Sequence, residues 1–456
     1  MTNDQRFPPT FEERMRHHLG GEWENFVAAH QQNSPVSIRV NPQKRFPTNY
    51  QHKIPWTASG YYLDERPTFT LDPVLHAGGY YVQEPSSMFI EQAVLQATNH
   101  GAALNVLDLC SAPGGKSTHL LSLISKESLL VSNEVIRSRV SILEENIIKW
   151  GYPNSVVTNN DPKDFQRLGA FFDVIVVDAP CSGEGLFRKD PHALNEWSPD
   201  NVLLCSNRQR RILKDIWPAL KRDGILIYST CTYNEQENEE VLQWLHESED
   251  VESIRLTLDP RWGVTEIIQN DGYGYRLFPH RVKGEGFFLS VVRKLSEGDA
   301  RPKPRKIFVW PEKKIVHQLH DWVAHPQEKT FILRKDQLVQ ALPANKITDI
   351  ELLANNLYLI SSGIAIAAVK HDKLIPDHAL ALSVELNVKN FRTIDLNLQD
   401  ALRFLRRDAI EGGGAKRGFA LVRFNDLPVG WVNVLDSRVN NLYPAQWRIR
   451  MQDPKE

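Results

Sequence analysis

Between Leu104 and Lys294, short apolar runs alternate with longer amphipathic stretches. The runs are NVLDL (105–109), LLVSNE (129–134), SVVTNND (155–161), FDVIVVD (172–178) and DGILIYST (223–230). Runs this short and apolar read as strands buried on both faces, with covering helices between them, which predicts a parallel α/β sheet. One helix begins near Lys116. RSRVSILEENIIKWG reads as a second, with Gly151 as its stop, and DNVLLCSNRQRRILKDIWPAL and EQENEEVLQWLHE as two more. GEGFFLSVVRK closes the unit as a late strand.

The flanks carry different patterns. FEERMRHHLGGEWENFVAAHQQ reads as helical, SIRVN as a short strand, and GGYYVQEPSSMFIEQAVLQA follows, rich in glycine and aromatics. LSEGDARPKPRK (295–306) is polar, basic and proline-containing, and reads as a linker. Beyond it the chain is α+β: a helical LQDALRFLRRDAI, a loop EGGGAKRG, and strand-like FALVRFN and PVGWVNVL.

Composition narrows the class. A chain of 456 residues is too long for one core. The N-terminus has no apolar run of a secretory signal and no stretch approaches a membrane span, so a cytoplasmic protein without membrane contact is expected. The cysteines, at 110, 181, 205 and 231, form no CxxC pair. That spacing speaks against a zinc knuckle and a disulfide framework, and no metal site is expected. A net charge of −2 means that any nucleic-acid binding rests on local basic patches.

LDLCSAPGGKST (107–118) joins the first strand to a helix through Pro113, Gly114 and Gly115. Such a loop brings backbone close to a ligand and presents helix N-terminal amides. The first glycine of GxxxxGK[ST] would fall on Cys110, so a triphosphate loop fails, and GxGxxG is absent as well. Asp108, Glu134 and Asp161 follow one another at strand ends along one sheet edge. Glu134 suits ribose hydroxyls and Asp161 the adenine, although each acid alone also fits a helix cap or turn. Adenosine recognition without a triphosphate cradle points to S-adenosylmethionine.

Cys181 in DAPCSG follows the fourth strand and Cys231 in STCTYNEQENE the fifth. If those strands are neighbours, the two thiols face one cleft beside the methyl donor. Carbon 5 of cytosine is a poor nucleophile until a thiolate adds at carbon 6, and a carboxylate such as Asp178 can hold the ring's nitrogen edge. One thiol to attack and one to assist release explains the pair, and the residues alone do not assign the roles.

LDLCSAPGGKST, DAPCSGEG, STCTYNEQENE, YYVQEPSSM and SIRVN, spread over roughly 37–294, resemble the Nop/Sun family of RNA cytosine-5 methyltransferases. RLFPHRVKGEGFFLSVVRK, VGWVNVL and NNLYPAQWRIRM are similar to its bacterial RsmF type, which acts on small-subunit rRNA and carries a C-terminal PUA-like module. The resemblance implies a Rossmann-like class I methyltransferase domain (101–294) between an N-terminal RNA-binding extension (1–100) and, after the linker, an intermediate α+β domain (307–385) and a PUA-like domain (386–456). It also implies that Cys231 attacks and Cys181 assists release. Cofactor contacts then fall on Cys110, Ser111, Ala112, Pro113, Gly114, Gly115, Lys116, Glu134, Asp161 and Asp178, and Lys116 and Asp178 also line the catalytic pocket. Ser111 and Pro85 stand where that family usually has alanine, and 307–385 matches it only loosely.

The expected partner is 16S rRNA or the 30S subunit, met by a monomer. Arg188 and Lys189, just past the DAPCSG loop, and Arg281 and Lys283 are the favoured RNA contacts. Arg208, Arg211, Lys214, His280 and the WRIR segment beside Trp447 are further basic or aromatic candidates. A tRNA methyltransferase and a non-catalytic rRNA-binding assembly factor are the alternatives, the latter disfavoured by the presence of Cys181, Cys231 and Asp178 together.

Overall fold

The five apolar runs lie side by side as parallel strands, in the order Leu220–Thr230, Phe172–Asp178, Asn105–Asp108, Leu129–Asn133, Ser155–Thr158. They appear in a computed structural model that describes residues 7–269, 272–371, 373–410 and 416–451. Strand order reverses between Asn105–Asp108 and Phe172–Asp178, which opens a crevice at their carboxyl ends. The Asn105–Asp108 and Leu129–Asn133 strands are buried throughout, as strands covered on both faces must be. In Arg137–Trp150 the buried residues Val140, Leu143, Ile147 and Trp150 recur at helical spacing. Gly151 ends that helix at φ 85°, where a Cβ would lie 2.2 Å from the Leu382 carbonyl oxygen.

The sheet is wider than the sequence pattern indicates. Phe287–Lys294 pairs antiparallel with Leu220–Thr230, and Gly272–Leu277 and Thr265–Gln269 extend that edge. At the opposite edge Leu359–Ser362, from the stretch read as an intermediate domain, pairs antiparallel with Ser155–Thr158. The rest of that stretch makes a separate four-stranded antiparallel sheet from Lys329–Leu333, Leu338–Pro343, Ile364–Lys370 and Lys373–Pro376. The segment 295–306 has no regular structure yet is fastened down: Arg301 lies 4.6 Å over the Phe171 ring and donates to its carbonyl oxygen at 3.0 Å.

The N-terminal helical stretch is two helices, Pro9–Leu19 and Trp23–His30, because Gly20 and Gly21 break it. Their Phe11, Met15, Trp23 and Phe26 share a core with Phe187, Trp197, Tyr233 and Phe278, so they brace the loops after the fourth and fifth strands. The small sheet containing Val36–Val40 shares its core with the C-terminal module of Arg392–Asp395, Leu398–Arg406, Gly418–Phe424, Leu427–Val434 and Val439–Asn441. The expected EGGGAKRG loop falls mostly on 411–415, outside the described residues. Among the described residues no helix is long and apolar enough to cross a membrane.

Candidate active site

Asp178 ends the fourth strand in register with Ser229, whose Oγ donates to Asp178 Oδ1 at 2.8 Å. Lys116, the second residue of the Gly115–Leu123 helix, places its Nζ 2.7 Å from Asp178 Oδ2. Burial opposes the Lys116 charge, but Asp178, with help from Asp108, outweighs it and holds the ammonium pKa above its ordinary value. Lys116 is therefore held as an ammonium ion against Asp178 at the crevice floor.

Cys181 and Cys231 leave the adjacent fourth and fifth strands and bring their Sγ atoms to 3.0 Å. The Cys231 amide also donates to Cys181 Sγ at 3.3 Å. Both thiols are free and partly exposed. The hydrogen bond to Cys231, followed by burial, pushes the Cys181 thiol well above its usual range, so Cys181 keeps its proton. Two sulfurs this close do not both ionise, by the logic that governs paired carboxylates.

A polar network that the sequence reading assigned no role fixes the thiol loops. Glu237 accepts from the Ser182 amide at 2.9 Å, from the Ser182 hydroxyl, and from Gln209 Nε2 at 3.0 Å. Ser182 Oγ lies 3.0 Å from Thr232 Oγ1, and Asn238 Nδ2 donates to the Thr232 carbonyl oxygen at 3.0 Å. Gly185 N donates to the Cys231 carbonyl oxygen at 2.9 Å. The only sequence signal was the polar run NEQEN after Cys231, whose buried members are Asn234, Glu237 and Asn238.

Burial raises the Glu237 carboxyl from 4.5 to about 7. Its contribution to stability is thus complete below the unfolded value and is lost as pH rises through about 7. Glu237→Gln removes that titration, so the variant's melting temperature should fall less between pH 5 and pH 8 than that of the wild type, by about 2–3 °C. Scanning calorimetry at the two pH values checks this, and an unchanged wild-type slope would assign the titration elsewhere.

The glycine loop is held from several sides. Gly114, at φ 112°, heads the Gly115–Leu123 helix, and the Ser111 amide donates to the Asn133 carbonyl oxygen at 2.8 Å. Arg139 Nη2 donates to the Ala112 carbonyl oxygen at 2.6 Å and Asn146 Nδ2 to that of Pro113 at 2.8 Å. Arg39, from SIRVN, is buried over the Trp150 ring and donates to Thr118 Oγ1 at 2.6 Å and to the Gly115 carbonyl oxygen at 3.3 Å. Gln83, from YYVQEPSSM, accepts from Arg39 Nε at 2.8 Å. Two of the N-terminal motifs therefore serve the loop rather than the crevice. Burial, reinforced by Asp108, Asp178 and Glu134, pushes Cys110 upward and keeps it a neutral thiol within the loop.

The three acids share the carboxyl edge but differ in surroundings. Asp108 is buried, receives Ser117 Oγ on Oδ2 at 2.6 Å, and its Oδ1 has no partner among the described residues. Burial raises its pKa to about 6. Glu134 follows the second strand directly and accepts from the Ile136 amide at 2.8 Å, with Arg139 3.5 Å from Oε2. Asp161 lies beyond the end of the third strand at Thr158 and caps the following 3-10 turn, accepting from Lys163 N at 3.2 Å in a capping box with Asp164. Glu134 thus sits in a turn and Asp161 at a cap, and the three acids remain at the carboxyl edge of the sheet.

The expected RNA contacts divide. Arg188 is not a surface group: its side chain is 5% exposed, pairs with Glu285 at 3.0 Å, and donates to the carbonyl oxygens of Ala29 and Gly284. With its donors so occupied it ties the DAPCSG loop to the N-terminal helices instead of reaching a phosphate. Arg281 is paired with Glu22, which also receives His280 at 2.8 Å. Lys189 is exposed, as are Arg208, Arg211 and Lys214, and Lys283 is exposed with its Nζ 4.5 Å over the Tyr62 ring. Trp447 is half-buried, with Lys149 5.5 Å from its ring.

Residues 92–293 match the family model of 16S rRNA methyltransferase RsmB/F. Residues 7–85 match the N-terminal domain of 16S rRNA methyltransferase RsmF, and residues 391–449 the methyltransferase RsmF PUA domain. The ribosomal RNA small subunit methyltransferase F of Salmonella agona is 31% identical over 470 residues, which cover 96% of each chain. That of Escherichia coli O157:H7 is 30% identical over 470 residues, again 96% of each. Among solved structures, a methyltransferase homologue from Pyrococcus horikoshii is similar with TM-score 0.54 and 26% identity, covering 64% of this chain and 96% of that one. NSun6 from the same organism, solved with SFG, shares the fold at TM-score 0.55 and 19% identity, over 64% of this chain and all of the other.

Proposed function

The chain belongs to the ribosomal RNA small subunit methyltransferase F family, and from that premise we propose that it forms 5-methylcytosine in 16S rRNA through a covalent bond between Cys231 and carbon 6 of the base. The observation that carries this reading is the pair of thiols 3.0 Å apart beside the Asp178–Lys116 salt bridge. An S-adenosylmethionine-dependent rRNA methyltransferase that acted on an already nucleophilic atom would need neither sulfur.

The cofactor's place follows from the donor set. Asp108 Oδ1 is a buried acceptor lacking a partner among the described residues, and Glu134 presents a carboxylate at the end of the second strand. The backbone from Cys110 to Gly115 forms the near wall, with Lys116 and Asp178 where methyl donor and base meet, and Asp161 on the adenine side. When bound, S-adenosylmethionine supplies an electrophilic methyl group.

The residues then divide the work. Cys181 holds its proton and donates it toward the Cys231 sulfur, which favours Cys231 as the thiolate. That thiolate adds to carbon 6 as the ring nitrogen takes a proton from solvent, and Asp178, neutralised by Lys116, holds the nitrogen edge. Carbon 5, now part of an enamine, takes the methyl. The carbon 5 proton is then removed, its C–H pair forms the 5,6 double bond, and the C–S bond breaks to return Cys231 as thiolate. Cys181, beside the departing sulfur, assists this release; the carbon 5 proton passes to solvent, and the ring nitrogen gives back the proton it took. Of the four favoured basic residues, exposed Lys189 and Lys283, the latter over the Tyr62 ring, are those outside an ion pair among the described residues and meet RNA phosphates, and the C-terminal PUA module supplies further RNA contact.

Small subunits and free 16S rRNA from cells lacking this protein, incubated with it and labelled cofactor, should gain 5-methylcytidine on nucleoside analysis, while tRNA gains none. Label on any other atom of the base would refute the reaction, and label in tRNA the substrate.

A further inference from the structure

The stretch 307–385 has no role in the chemistry above, yet it enters the sheet at the cofactor edge. Leu359 pairs with Thr158, the last residue of the third strand, so Tyr358 lies beyond that strand's carboxyl end. A hydrogen-bonded chain ties it to the glycine loop. Asn133 Nδ2 donates to the carbonyl oxygens of Leu109 and Asn160, and Asn133 Oδ1 accepts from the Asn160 amide at 3.0 Å. Asn160 Nδ2 donates to the Tyr358 carbonyl oxygen at 3.1 Å, and its Oδ1 accepts from the Tyr358 amide at 2.9 Å. Asn159 donates its amide to the Tyr358 carbonyl oxygen and its Nδ2 to the carbonyl oxygens of Glu134 and Val135.

Leu357 and Leu359 both pack into the core on one face of the sheet. Alternation turns Tyr358 to the other face, which helix Arg137–Trp150 covers and Val135–Ile136 enter. There Tyr358 is 61% exposed, Val135 52% and Ile136 48%. Three large apolar residues thus stand exposed where Asn159 and Asn160 link the backbones of Val135 and Tyr358 between Glu134 and Asp161.

We propose that Tyr358, delivered by the intermediate stretch, forms an aromatic wall for the adenine of the cofactor, so that this stretch completes the cofactor pocket. The proposal rests on the placement of the cofactor at the carboxyl edge given above. An aromatic face contributes to binding of any purine ring it covers, and the Asn160 clamp fixes the Tyr358 backbone before the cofactor arrives.

Titration calorimetry with S-adenosylhomocysteine tests it. Tyr358→Ala, an exposed change that leaves the core intact, should weaken binding about tenfold, while Tyr358→Phe stays within about twofold. S-ribosylhomocysteine, which lacks the base, should bind the wild type and Tyr358→Ala alike. Glu134→Ala should weaken S-adenosylhomocysteine whatever Tyr358 does. If Glu134→Ala binds poorly and Tyr358→Ala binds like the wild type, the adenine wall is refuted and the cofactor's placement stands. If neither change matters, both fall. A Tyr358→Ala defect confined to rRNA binding also overturns the proposal.

Discussion

Cys231→Ala is expected to lower methyl transfer to rRNA by at least about a thousandfold while S-adenosylhomocysteine still binds. Without a thiolate at carbon 6 the ring supplies no enamine, and proximity to the methyl group cannot make carbon 5 nucleophilic. The change is mild for the fold. Cys231 is partly exposed, and its loss frees only a thiol hydrogen bond and leaves the Gly185–Cys231 backbone contact intact. Single-turnover transfer with the variant, alongside cofactor titration, separates lost chemistry from lost binding. Retained transfer within about tenfold would remove Cys231 from the reaction.

Cys181→Ala should fail later in the cycle. Addition and methyl transfer need the Cys231 thiolate and the Asp178–Lys116 pair; the change leaves the pair intact and takes from Cys231 one hydrogen bond, which slows addition without preventing it. Release needs a group beside the breaking C–S bond, and Cys181 Sγ stands 3.0 Å from Cys231 Sγ. Steady turnover is expected to drop about a hundredfold, the scale of a lost acid–base partner, while a covalent RNA–protein complex accumulates on ordinary rRNA. A denaturing gel shows it directly. Slow turnover without a trapped complex would place Cys181 before bond formation, and the double variant with Cys231→Ala should show no complex at all.

The meeting of the two thiols was legible because two apolar strands are each followed within three residues by a cysteine, and parallel neighbours bring such ends together. The five parallel strands and the Gly151 helix stop were legible for the same reason: burial on both faces leaves apolar runs, and a left-handed stop wants glycine. Arg188 misled because a basic residue beside a catalytic loop reads as RNA-facing, whereas Glu285 lies 97 residues away in sequence and only the fold supplies it. Glu237 stayed silent for a related reason. A buried carboxylate whose partners are Ser182 and Gln209 looks, in one dimension, like a residue of a solvated polar run. The Leu359–Ser362 strand was missed because its burial is half-and-half at a sheet edge, which leaves no strong alternation. Arg39 shows the same limit from the other side: its motif was recognisable, but its target, the helix of the glycine loop, was not.

The covalent step can be tested on the intact protein. In RNA with 5-fluorocytidine at the target position, the fluorine at carbon 5 blocks proton removal, so the enzyme should stop as a methylated adduct. Trypsin separates the two candidate sulfurs, since Cys231 lies in the fragment 223–255 and Cys181 in 168–188. Mass spectrometry of the trapped, digested complex should find the modified nucleotide on the fragment carrying Cys231. A nucleotide on the Cys181 fragment, or no adduct while ordinary rRNA is still methylated, would contradict attack by Cys231.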